Sequence, residues 1–143
     1  MTGTKIVYDE DILKKMALFE SITHSKLKDF FDDPVQDRLV FIVLEGELWK
    51  ALGKGSMNVK KLEKAYNRKI KIVEFAPDKI AFIKNMAYPL RISDVTEDEE
   101  GIVTIRHDDL QTKGLLIGKN ARNLRNMEKN IRRYFEVKEI KVV

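Results

Sequence analysis

The chain has 143 residues, of which 43% are hydrophobic and 35% are charged, and it contains no cysteine. These values are typical of a globular protein, and the lack of cysteine excludes disulfides and thiolate metal sites. The N-terminal region carries no apolar run of signal or membrane-spanning length. We therefore expect a cytoplasmic protein without a membrane partner.

The first half predicts an alternation of helices and strands. Asp9, Glu10 and Asp11 precede an amphipathic pattern and suit the first turn of a helix. A run of six apolar residues from Leu39 to Leu44 indicates a buried strand. In chain order we predict a helix over 9–21, strands over 26–31 and 38–45, a short helix over 47–52, a long basic helix ending near 67 and a strand over 69–72.

The second half repeats that order. We predict a helix over 78–86, strands over 89–95 and 101–107 joined by the acidic connection 96–100, a short helix opened by Asp108 and Asp109, a long helix after Gly118 and a strand over 137–143. Three strands with helices covering one face form a two-layer α+β unit. The sequence thus predicts two such units in tandem.

A direct repeat supports this division. The segment 53–64 aligns with 118–129, 65 residues later, and Gly, Lys, Asn, Glu and Lys match identically. The apolar positions of the following helix recur as well, which indicates a tandem duplication of one fold unit. We place the two domains at 1–75 and 76–143. Because only residues 75–77 would link them, we expect their relative orientation to be fixed.

The positive charge follows the repeat. Residues 50–72 hold eight basic and one acidic residue, a net +7, and residues 115–143 hold eight and three, a net +5. Since the whole chain carries +4, the remainder carries −8. A solvated surface would be the simplest interpretation, but cations concentrated on the repeated units favour binding of a polyanion.

Each repeat contains a glycine turn suited to a phosphodiester backbone. Gly118 tolerates positive φ, and the amides that open the next helix combine with Lys119 into an anion site. At the fourth position of the turns we expect Ser56 to cap its helix and Ala121 to favour helical geometry. Replacement of Ala121 by glycine would then cost up to roughly 1 kcal/mol of stability. Replacement of Ser56 would cost less, since glycine is a tolerable cap.

The segments 52–59 and 117–124 resemble the KH domain signature, an apolar-Gly-x-x-Gly-x-x-apolar core, in the type II arrangement of elements. Two such units after an N-terminal helix resemble the archaeal NusA-like transcription factors. The resemblance implies an α+β chain of two tandem KH (type II-like) domains, each a three-stranded sheet with helices packed on one face. Ser56 and Ala121 depart from the signature, which has glycine at that position.

The resemblance also implies single-stranded RNA, about four nucleotides per unit, with its backbone clamped at each turn. It implies a non-enzymatic, monomeric factor in transcription elongation, pausing or termination/antitermination, with RNA polymerase as a further partner. The implied RNA-binding residues are Gly53, Lys54, Gly55, Ser56, Lys60 and Lys61 in the first unit, and Gly118, Lys119, Asn120, Ala121, Arg122 and Arg125 in the second.

Other chemistries fit the sequence less well. A nucleotide-binding loop needs Ser or Thr directly after its lysine, where this chain has Gly55. The acidic pairs at 32–33 and 108–109 and the run 97–100 lie at predicted turns and helix starts, so solvated turns are a better interpretation than nuclease cation sites. His24 and His107 have no cysteine partner. We predict no catalytic residue, no metal and no cofactor.

Two alternatives stay open. Trp49 precedes the first glycine turn and would either stack on a base or belong to the core or to an interface. The protein could also be an interaction module, in which degenerate turns no longer grip RNA and an acidic surface docks on RNA polymerase or the ribosome. Salt-dependent RNA binding distinguishes this module from an RNA-binding factor.

Overall fold

A computed structural model of the chain describes residues 6–143. They divide into two compact units, one holding Val7–Pro77 and the other Asp78–Val143. Residues 1–5 of the predicted first domain lie outside the described residues. No helix within residues 6–143 is both long enough and apolar enough to cross a bilayer.

The first unit contains three helices, three strands and one short 3-10 turn. Asp9 caps its first helix, accepting a 2.8 Å hydrogen bond from the amide of Ile12. The elements in chain order are α1 (Glu10–Thr23), β1 (Leu27–Asp33), β2 (Arg38–Val43), α2 (Leu48–Leu52), the 3-10 turn Lys54–Ser56, α3 (Met57–Tyr66) and β3 (Lys69–Glu74).

The sheet of the first unit has the order β1-β2-β3, with β1 antiparallel and β3 parallel to β2. Its helix-side core is aromatic: the Phe41 ring stacks on Phe19 at 4.4 Å and on Phe30 at 4.7 Å between centroids. Leu62 of α3 is fully buried against the same cluster. Strand β2 is buried along both of its faces, as the apolar run from Leu39 predicts.

The second unit has the same order of elements. They are α4 (Lys79–Ala87), β4 (Asp94–Glu97), β5 (Ile102–Arg106), α5 (Leu110–Ile117), the 3-10 turn Lys119–Ala121, α6 (Arg122–Ile131) and β6 (Glu139–Val142). Strand β4 is antiparallel to β5, and β6 is parallel to it. The chain is therefore α+β with two small three-stranded sheets, as the sequence predicts.

The prediction of a strand over 89–95 is wrong, because pairing begins at Asp94. Residues 88–90 form a turn in which the Leu90 amide donates to the Ala87 carbonyl at 2.9 Å. Pro89 lacks the amide that a paired strand must donate, which favours a turn at this position.

Candidate nucleic-acid interface

The two glycine turns, residues 53–56 and 118–121, share one backbone conformation. Gly53 has φ 73° and ψ 173°, and Gly118 has φ 73° and ψ 174°. This region of φ/ψ space is open essentially to glycine alone. Both glycines are therefore required by the path of the chain, as the repeat predicts.

The last two residues of each turn are left-handed. Gly55 and Asn120 have φ of 62° and 56°, and Ser56 and Ala121 have φ of 59° and 60°. The expectation of a serine cap and a helical alanine is therefore wrong. Within the described residues, the Ser56 hydroxyl caps no amide of α3. Glycine would relieve strain at both positions, which reverses the expected sign of its effect on stability.

An asparagine in the helix after each turn forms a hydrogen bond to the helix before it. This bond links α2 to α3 in the first unit and α5 to α6 in the second. Nδ2 of the buried Asn58 donates to the Ala51 carbonyl at 3.1 Å. It also donates to the Lys50 carbonyl at 3.4 Å, and Nδ2 of Asn123 makes the equivalent bond to the Leu115 carbonyl at 3.0 Å. These bonds satisfy carbonyls at the end of the preceding helix, which otherwise lack an intrahelical partner.

The same asparagines explain why the first residue of each turn has no side chain. A Cβ built on Gly53 would lie 2.8 Å from Nδ2 of Asn58, and one built on Gly118 would lie 2.7 Å from Asn123. The space next to each glycine Cα is thus occupied by an amide side chain. The spacing Gly-x-x-x-x-Asn, present in both repeats, is the sequence signal for this pairing.

Five of the six predicted basic contacts extend into solvent. They are Lys54, Lys60 and Lys61 in the first unit and Lys119 and Arg122 in the second, and all five are exposed. None of the salt bridges within residues 6–143 involves them. Cations next to the start of a helix reinforce the positive end of its dipole for an incoming anion.

Arg125 has a different environment. Its guanidinium pairs with Oε2 of Glu128 at 2.5 Å and lies 3.8 Å from Glu139. Glu128 is buried and also accepts a 2.7 Å hydrogen bond from the Ile140 amide of β6. Arg125 therefore compensates a buried carboxylate that links α6 to the sheet. Its side chain remains 49% exposed.

Acidic residues of the predicted turns make local hydrogen bonds. Asp109 caps α5, where bonds from the hydroxyl and the amide of Thr112 lower the pKa of its carboxyl group. Asp33 is buried rather than solvated, and it accepts bonds from the amides of Val35 and Gln36. Among residues 6–143, no group of three metal-ligating side chains is present.

Trp49 is not a core residue. Its side chain is 82% exposed on α2, whereas Leu48 and Ala51 of the same helix pack into the aromatic core. Its carbonyl accepts a 3.0 Å hydrogen bond from the Gly53 amide, so it lies one helical turn before the first glycine turn. The core alternative left open by the sequence is excluded.

The chain is similar to archaeal proteins over most of its length. A Methanococcus vannielii protein named "Probable transcription termination protein NusA" is 34% identical over 138 residues, which cover 94% of this chain and 77% of that protein. The chain belongs to the archaeal NusA family. The NusA of Halobacterium salinarum is 30% identical over 131 residues, covering 89% of this chain and 91% of its own length.

A solved structure agrees with this assignment. The crystal structure of APE1850 superposes with a TM-score of 0.73 at 27% identity, covering 95% of this chain and all of that one. No model of a protein family matches the sequence. The similarity to the archaeal NusA proteins confirms the resemblance to NusA-like factors.

Proposed function

We propose that this NusA-family protein is a non-enzymatic, monomeric factor in transcription elongation, pausing or termination/antitermination that binds single-stranded RNA. In this proposal the two units are tandem type II-like KH domains, residues 1–75 and 76–143, and RNA polymerase is a further partner. The shared order of helix, strand, strand, helix, turn, helix and strand supports the KH assignment.

The observation that carries the proposal is the duplication of one turn geometry beside exposed cations. Gly53 and Gly118 agree within 1° in φ and ψ, and an exposed lysine follows each of them. A turn of this kind brings backbone amides and a point charge to one side, where a phosphate can receive both. Two copies on one chain would hold two stretches of RNA.

The glycines missing from the signature do not weaken this argument. Ser56 and Ala121 adopt the left-handed conformation that glycine favours, so both turns keep the backbone path that the signature requires. The small side chains at these positions leave room for a phosphate. We assign the clamps to Gly53, Lys54, Gly55 and Ser56 and to Gly118, Lys119, Asn120 and Ala121.

The remaining basic residues would make outer phosphate contacts. Lys60, Lys61 and Arg122 are exposed and suit this role. Arg125 is a weaker contact in this proposal, because Glu128 already holds its guanidinium. Its half-exposed guanidinium would contact an RNA phosphate only while it also pairs with the Glu128 carboxylate.

Charge reversal at the two lysines tests the proposal. Lys54→Asp and Lys119→Asp should each weaken binding of a single-stranded RNA by about tenfold, and each should reduce the dependence of log K on log salt by about one. Anisotropy of a labelled oligonucleotide at several salt concentrations measures both. Duplex RNA should bind more weakly than the single strand.

Lys84→Asp is the matched control, since Lys84 is an exposed lysine of α4 that lies outside both basic segments. It makes the same change in net charge. If Lys54→Asp and Lys119→Asp both bind RNA as well as this control does, the clamps are assigned wrongly. The interaction-module alternative, with docking on RNA polymerase or the ribosome, would then replace the proposal.

A further inference from the structure

We propose that the indole ring of Trp49 stacks on a nucleobase of the RNA held at the first glycine turn. This inference rests on the proposed function. It assigns to the first unit a base contact that the second unit lacks. The affinity that this contact contributes should not depend on the salt concentration.

The fold does not require an aromatic residue at this position. Leu48 and Ala51 provide the buried face of α2, and the Trp49 ring extends away from them. At 82% exposure it is the most exposed large hydrophobic side chain among residues 6–143. A tryptophan that contributes little to the core but is held in solvent is typical of a binding surface.

Trp49 adjoins the turn along the chain. It lies on α2 four residues before Gly53, about one helical turn from that glycine. The bond from the Gly53 amide to the Trp49 carbonyl, 3.0 Å long, fixes this spacing. A nucleotide whose phosphate is held at the turn would bring its neighbouring base within reach of the ring.

The surroundings of Trp49 favour nucleic acid over a protein partner. Lys50 and Lys54 are exposed and follow it in sequence, at the start of the segment 50–72 of net charge +7, and Met57 adds a side chain that is 48% exposed. Single-stranded nucleic acid presents negative charge and a flat π-face in every nucleotide, and cationic grooves with aromatic platforms recognise that combination. A protein partner would need an acidic surface with an apolar contact at one point.

The second unit offers an internal comparison. Gly114 occupies the place of Trp49, 65 residues later, and Leu115 occupies that of Lys50. The geometry of the turn is the same there, but no aromatic platform stands before it. Stacking at this position is thus confined to the first unit.

The chain contains a single tryptophan, so its fluorescence reports on Trp49 alone. Titration with a single-stranded RNA of about ten uridines should quench this fluorescence through base stacking. Inorganic polyphosphate of matched charge is the comparison probe, because it offers phosphates without bases. It should bind to the basic segments with little quenching.

Variants of the full chain complete the test. Trp49→Ala should weaken RNA binding by about tenfold and leave the salt slope unchanged, whereas Trp49→Phe should retain most of the affinity. Leu110→Ala is the matched control, because Leu110 is 80% exposed on α5 and should not contribute to binding. Polyphosphate affinity should be the same in wild type and Trp49→Ala.

The outcomes separate the two proposals. RNA binding that depends on Lys54 but is unchanged in Trp49→Ala, without fluorescence quenching, overturns stacking and leaves the proposed function intact. Equal losses for RNA and polyphosphate in Trp49→Ala would show a structural effect and also overturn stacking. Absence of RNA binding by the wild type overturns both proposals.

Discussion

The two glycine turns have the same backbone and different surroundings. Gly53 and Gly118 are superimposable in φ and ψ, yet Trp49 precedes the first turn by four residues and Gly114 precedes the second. Both turns share an asparagine five residues after the glycine, which is buried in the first unit (Asn58) and partly buried in the second (Asn123). The comparison shows that the glycine and asparagine pair sets the path of the chain, while the outward side chains are free to diverge.

In the helices that follow the two turns, residues at equivalent positions also have different surroundings. Lys60 of α3 and Arg125 of α6 occupy equivalent positions, but Lys60 is exposed and Arg125 is bound to the buried Glu128. One cation is available to a ligand, and its counterpart supports the attachment of α6 to the sheet. Equivalence in sequence therefore does not imply an equal role in binding.

The largest change in stability is expected from substitution of the first glycine of each turn. Gly53→Ala and Gly118→Ala should each lower the free energy of unfolding by about 3 kcal/mol, because the new Cβ meets an asparagine and the backbone conformation excludes L residues. Denaturant melts measure the change.

Gly114→Ala is the control for that prediction. A Cβ at Gly114 meets nothing within 4 Å, and the residue lies inside α5, so alanine should stabilise the protein by about 0.5–1 kcal/mol. A loss at Gly114 equal to that at Gly118 would contradict the explanation based on the turn.

Substitution of the two asparagines should have the next largest effect on stability. Asn58→Ala should cost about 2 kcal/mol, because it removes a buried hydrogen bond and leaves the Ala51 carbonyl without this donor. Asn123→Ala should cost less, since Asn123 is less buried.

A double-mutant cycle sharpens this prediction. Once Asn58 is shortened, the Gly53→Ala substitution loses its closest clash, so the double variant should be more stable than the sum of the two single losses predicts. Strict additivity would mean that the two residues do not constrain each other.

The smallest effect is expected at the fourth position of the turns. Ala121→Gly and Ser56→Gly should each stabilise the protein by about 1 kcal/mol, because both residues have positive φ. Thermal or denaturant melts of the two single variants decide the sign. A loss of stability in both would restore the helical interpretation of these positions.

The sequence by itself determined the order of the elements, the duplication and the family. These features are written locally: apolar periodicity distinguishes helix from strand, and the repeated glycine, lysine and asparagine mark equivalent turns 65 residues apart. The buried strand β2 and the start of α1 next to Asp9 were predictable from local sequence.

Only the tertiary structure decided the details that control chemistry at the turns. Ser56 and Ala121 adopt the left-handed conformation where the chain passes from one helix to the next, and serine and alanine have no local preference for it. The engagement of Arg125 depends on Glu128, whose burial is set by β6. Such properties arise from atoms distant in sequence, and for that reason apolar periodicity and motif spacing do not reveal them.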